Sequence, residues 1–177
     1  MANTFELIAA VTVGAGGASS IDFTSIPSTY TDLCLKVSTR ATGSFPQGFM
    51  ILRINGTTPG NVVNRYLTGN GSSASSSVIS NADGSAAQSQ GATSTASTFS
   101  NGEWYIPNYA GSTAKSISSD SVSETNGTTI KASMIATLSP ATTAVSSLTI
   151  VIGDDGSGSL SNFAQYSTAY LYGVKNA

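Results

Sequence analysis

The chain of 177 residues is long enough for one domain of ordinary size, and charged residues make up only 9% of it: seven Lys and Arg against nine Asp and Glu, for a net charge of −2. That balance excludes a charge-driven nucleic-acid binder, which needs an excess of basic side chains to neutralise phosphates, and the lack of any histidine excludes most acid–base enzymes. Polarity resides instead in hydroxyls and backbone, with 53 Ser and Thr and 18 Gly.

Short alternating or β-branched runs separated by turn residues dominate, and almost nothing has helical spacing, so an all-β chain is expected. The first run, Phe5 to Val13, has no basic residue before it, so no secretory signal is expected, and no apolar run approaches the ~20 residues of a membrane-spanning helix. Ser20 to Phe23 follows, then Asp32 to Arg40, where Leu33, Leu35 and Val37 share the core face and Cys34 points the other way. In Phe49 to Asn55 the unbroken apolar face is Met50, Leu52 and Ile54. Asn64 to Thr68 is the fifth run, and Asn55-Gly56 is a turn before it.

From Gly71 to Asn101 the rhythm breaks. The large apolar side chains there are Val78, Ile79 and Phe99, and the segment reads as a long polar Ser/Gly/Ala-rich loop at about 71–101, with a short helical turn over Ser80 to Ala87 or a packing role against a neighbouring subunit as alternatives. Strands resume with Glu103 to Asn108, Lys115 to Glu124 and Thr129 to Leu138, the last two joined by a tight Asn126-Gly127 turn. Val145 to Ile152 and Ser167 to Val174 complete a set of ten, with Asp155-Gly156 marking another turn and core residues at Leu148, Ile150 and Ile152. Eight to ten short strands in one domain, 1–177, favour an antiparallel two-sheet β-sandwich of jelly-roll type.

Chemistry finds little support. A Ser/Lys pair is formally open to Lys36, Lys115, Lys131 and Lys175, but among so many serines a Lys near a Ser, as in Ser112-Thr113-Ala114-Lys115, is expected by chance. One cysteine, Cys34, cannot form an internal disulfide or a zinc site, and in the middle of an apolar strand it reads as a packed, inert thiol. Asp120 and Glu124 share a strand face but lie about 13 Å apart at 3.3 Å per residue, too far for a glycosidase pair. Asp154-Asp155-Gly156 has turn composition and lacks the alternating ligands of a calcium loop, so no metal and no cofactor is expected. Asn55-Gly56-Thr57, Asn70-Gly71-Ser72 and Asn126-Gly127-Thr128 match glycosylation acceptors but read as turns. The aromatic segment Glu103 to Tyr109 holds the one tryptophan. Trp104, Tyr105 and Tyr109 are candidates for a subunit contact or a sugar platform, while the alternation that puts Trp104 and Ile106 on one face and Tyr105 on the other fits core plus sheet surface.

Ile26-Pro27-Ser28-Thr29-Tyr30-Thr31-Asp32-Leu33, Lys36 to Arg40, Leu52-Arg53-Ile54-Asn55-Gly56, and Arg65-Tyr66-Leu67 with Gly69-Asn70-Gly71 resemble segments of small tailed-bacteriophage virion structural proteins. Glu103 to Ala110 and the ending Ala169 to Lys175 extend the resemblance over nearly the whole chain. It implies a jelly-roll module used as a capsid decoration (cement) protein or as a head- or tail-fibre tip, commonly a homotrimer, and it carries no catalytic residues. The leading expectation is a trimer on the capsid exterior that binds the major capsid protein and braces the shell, made in the host cytoplasm. The alternatives are a receptor-binding tip that grips host-surface glycans and, last, a depolymerase.

Overall fold

The computed structural model describes residues 4–56, 61–127, 130–154 and 159–175. Among them every regular element is a strand. In chain order these are β1 (Phe5–Thr12), β2 (Ile21–Phe23), β3 (Asp32–Thr39), β4 (Gln47–Ile54), β5 (Val62–Gly69), β6 (Ala74–Ala82), β7 (Ser85–Gln90), β8 (Ser100–Pro107), β9 (Lys115–Glu124), β10 (Ile130–Ser139), β11 (Leu148–Asp154), β12 (Leu160–Ser161) and β13 (Thr168–Val174). An eight-stranded sheet runs β1-β13-β3-β8-β9-β10-β5-β6, a second runs β12-β11-β4-β7 with β2 also on β11, and all strand pairs are antiparallel.

All ten expected strands are present, to within a few residues at their ends. The long loop expected at 71–101 is not: β6 and β7 occupy 74–82 and 85–90, and the helical turn proposed at 80–87 is the end of one strand and the start of the next. Alternation missed both because neither strand has a conventional apolar face. Residues 74–80 are exposed throughout, whereas all six residues of β7, Ser85-Ala86-Ala87-Gln88-Ser89-Gln90, are buried.

The two sheets enclose an interior of two different chemistries. At the β13-β3-β8 side Leu33, Leu35, Trp104, Ile106 and Leu171 are fully buried and form one cluster with Met50, Leu52, Leu148, Ile150 and Ile152 of the second sheet. At the β9-β10-β5 side hydroxyls and amides, Ser119, Ser121, Ser123, Ser133, Thr137, Ser139 and Asn64, are buried toward β7 beside a small apolar cluster of Tyr66, Ile135 and Ala86. Bonds cross the gap. Ser119 Oγ donates to Ala86 O at 2.7 Å, Ser121 Oγ accepts from Gln88 N at 2.8 Å, and Ser85, Thr137 and Asn64 form a chain of side-chain bonds at 2.8 and 2.6 Å. Since β7 ends its sheet, its outer edge would leave main-chain groups unpaired, and the serines of β9 satisfy them from the opposite sheet. Small side chains permit this approach, which accounts for part of the Ser-rich composition.

The β9–β10 connection is not the tight two-residue turn expected at Asn126-Gly127, since register pairs Glu124 with Ile130 and centres the hairpin on Gly127. Asn55 and Asn126 take positive φ, and Gly56 and Gly71 follow suit at their turns. The turn expected at Asp155-Gly156 lies outside the described residues.

Candidate functional site

Trp104 and Ile106 alternate inward from β8, so the indole is fully buried, and Tyr109 just beyond the strand is fully buried as well. The Tyr109 hydroxyl donates to Pro27 O and accepts a longer bond from Tyr30 N at 3.4 Å, tying the segment before β3 to the end of the sandwich. Neither ring offers a face to a sugar or a subunit; of the three aromatic candidates these two belong to the core. Tyr105 points outward and is half-buried, and its hydroxyl donates to Asp32 Oδ2 at 2.6 Å. That bond to a carboxylate, with some burial, pushes the phenol up to about 12.

The charged candidates are similarly committed. Lys36 bonds Glu103 across the β3–β8 pair, Lys175 bonds Glu6 at 2.7 Å, and Lys115, buried, donates to the carbonyls of Gly111 and Thr113, both at 2.6 Å. The described hydrogen bonds of these three go to carboxylates and main-chain carbonyls, and none goes to a serine hydroxyl. Burial and the facing Glu103 carboxylate raise the pKa of Asp120, the direct cross-strand partner of Glu103. This carboxylate pair lies on the outer face of the eight-stranded sheet, where Asp120 also lines the groove described below. Among the described residues no cluster of three or more His, Cys, Asp or Glu could hold a metal.

Glu124 and Arg40 do a structural task that sequence reasoning left open. The Arg40 guanidinium donates to four carbonyls of the loop between β7 and β8, those of Thr95 and Thr98 at 2.7 and 2.9 Å and those of Ala92 and Ser94 at 3.1 Å. From the other side Glu124 accepts from Thr95 N, the Thr95 and Thr98 hydroxyls, Gln90 Nε2 and Asn126 N, at 2.6 to 2.9 Å. Desolvation pushes its carboxyl up, but these donors outweigh it and hold the pKa down at about 2. One cation and one anion thus fix a loop that has little apolar surface.

The largest unsatisfied feature is a surface. Strand β10 turns most of its apolar residues outward: Ile130, Ala132, Met134, Ala136 and Leu138 face solvent, while Ser133, Ile135, Thr137 and Ser139 face the interior. Met134 is 66% exposed. Register places Leu67 of β5 beside Met134, and Ala132 beside Val122 of β9. A shallow groove of about 430 Å³ runs between Leu67, Val122 and Met134. The signal was in the sequence, since every even position from 130 to 138 is apolar, but the usual inference sends such a row inward, and here Ser133, Ile135 and Thr137 went inward instead.

No family model matches the chain, and neither a curated protein nor a solved structure shows significant similarity to it. The site must be read from its own geometry.

Proposed function

We propose that the protein is a virion structural protein of a tailed bacteriophage: a jelly-roll-type decoration (cement) protein that associates as a homotrimer and binds the outside of the major capsid shell. The observation that carries this reading is the outward apolar row of β10 with Leu67 and Val122 beside it, since contiguous apolar surface of this kind marks a protein contact. The resemblance in the motifs around Ile26 to Arg40 and Glu103 to Ala110 supplies the setting. The remaining surface suits it: few long charged side chains need ordering at a contact, and hydroxyls and backbone groups make the polar bonds. Glycan recognition at a fibre tip retains only Tyr105 of the three aromatics assigned to it, and no sugar-sized cleft surrounds that ring. Purified protein mixed with empty shells of its phage should co-sediment to a saturating stoichiometry and raise the temperature at which the shells burst. Shells that stay bare at saturating protein refute the reading.

A further inference from the structure

The outer face of the eight-stranded sheet carries a second apolar patch at its far end. On β1 Phe5 and Leu7 are half exposed, and register sets Leu7 beside Tyr172 of β13, with the Phe5 and Tyr172 rings edge to face at 6.5 Å. Tyr170 on the same strand is 38% exposed. This patch is aromatic, whereas the β9-β10-β5 patch is aliphatic with a methionine at its centre. Strand order separates β13 from β10 by four steps, about 19 Å at ~4.8 Å per strand. The strands between them carry the Lys36–Glu103 ion pair, and Asp120, directly across from Glu103, is also the cross-strand partner of Met134 and lines the aliphatic groove.

We propose that these two patches bind each other between copies of the chain, the β1-β13 patch of one copy seating on the β9-β10-β5 patch of the next, so that the contact runs head to tail and closes in a ring. This deepens the homotrimer of the reading above and rests on it for the number of copies. Three observations carry the assignment. The first is area: Leu67, Val122, Ile130, Met134 and Leu138, each 41% to 66% exposed, leave roughly 500 Å² of apolar side chain open, a large share of the ~800 Å² per partner in a stable interface. The second is chemistry. Flexible Met134 and its aliphatic neighbours accommodate aromatic rings, and a thioether gains from contact with a ring edge. The third is symmetry: a closed ring of three needs two different patches on each chain, and this sheet face carries two of unlike chemistry.

The experiment is sedimentation equilibrium on the full chain and two variants, each checked for a wild-type circular dichroism spectrum and a cooperative melt. Wild type should sediment as a trimer, and Met134→Glu and Leu7→Glu should each sediment as a monomer. Mixed together, the two variants should form a two-chain species, because each retains the patch that the other has lost. A wild-type dimer or monomer at several hundred micromolar, a variant that keeps the wild-type mass, or a mixture that stays monomeric overturns the head-to-tail contact. Should Met134→Glu fail to fold, Leu67→Asp on the adjoining strand tests the same junction. The two readings fail separately: a trimer that dissociates as described but ignores shells removes only the capsid assignment, while shell binding by a chain whose trimer survives Met134→Glu removes only the patch assignment.

Discussion

Replacing Ser121 by alanine tests the polar half of the interior. The Ser121 hydroxyl accepts the Gln88 amide hydrogen at 2.8 Å, both residues are buried, and the amide sits on the edge of β7 that no strand covers. Without the oxygen that N–H is left without its acceptor and away from solvent, and a buried donor so orphaned costs about 1–3 kcal/mol. Ser119→Ala, which strips a donor from the Ala86 carbonyl, should cost less, about 0.5–1.5 kcal/mol, because the carbonyl loses a bond but is the more tolerant partner. Ser118→Ala, on the exposed face of the same strand, should stay within about 0.5 kcal/mol of wild type. Urea unfolding at one fixed protein concentration reads all three, with the slope unchanged if only the folded state is affected. In a thermal scan the Ser121 variant should lose roughly 2–4 °C for each kcal/mol. Equal midpoints for Ser121→Ala and Ser118→Ala would show that the serine layer is filler and that β7 is held by its ladder to β4 alone.

Three other outcomes follow from buried or clamped groups. Because the carboxyl of Glu124 titrates near 2 when folded and near 4.5 otherwise, its ionised form stabilises the fold above about pH 4.5 and that contribution is lost as pH falls toward 2; Glu124→Gln should flatten this acid limb of stability, and an unchanged limb contradicts the clamp. Burial, reinforced by nearby Glu103, pushes the Cys34 thiol up to about 12, so a disulfide reagent at pH 8 should label the native protein slowly and the unfolded protein at once; prompt native labelling argues against the packing around β3. Trp104→Ala should cost about 3–5 kcal/mol in urea unfolding, whereas a change under 1 kcal/mol would mean that the indole is not enclosed.

Legibility in the sequence followed the apolar residues. Alternation located β3 and β4 and chose their buried faces, Leu33, Leu35 and Val37 on one and Met50, Leu52 and Ile54 on the other, because one face of each was plainly greasier. The β9–β10 hairpin was legible from Asn126-Gly127, of which Asn126 takes the positive φ that such turn residues tolerate. Strands β6 and β7 were invisible for opposite reasons. The first is solvated along residues 74–80, and the second is buried with Ala86 and Ala87 as its only apolar side chains, too small to stand out as a core face. The same physics hid the candidate interface. A row such as Ile130 to Leu138 goes inward only if something polar does not claim the interior first, and Asn64, Ser85 and Thr137 claim it with a bonded chain that no single-strand pattern reveals. Tyr109 escaped because its burial depends on Pro27, more than eighty residues earlier.

The hold on the loop before β8 has a consequence for variation. Arg40 grips main-chain oxygens, which every residue type presents alike, and Glu124 adds only the hydroxyls of Thr95 and Thr98 among the loop's side chains. Thr93 and Ala96 are exposed and contribute nothing to the grip that their identity would change. With main-chain bonds from Gly91, Ala92 and Thr93 to Pro46, Gly43 and Phe45, this grip sets the path of the loop, and its outward lettering can be rewritten without redrawing that path. Such a segment could display a foreign epitope at positions 93 and 96 on every copy of the protein while the sandwich beneath stays the same.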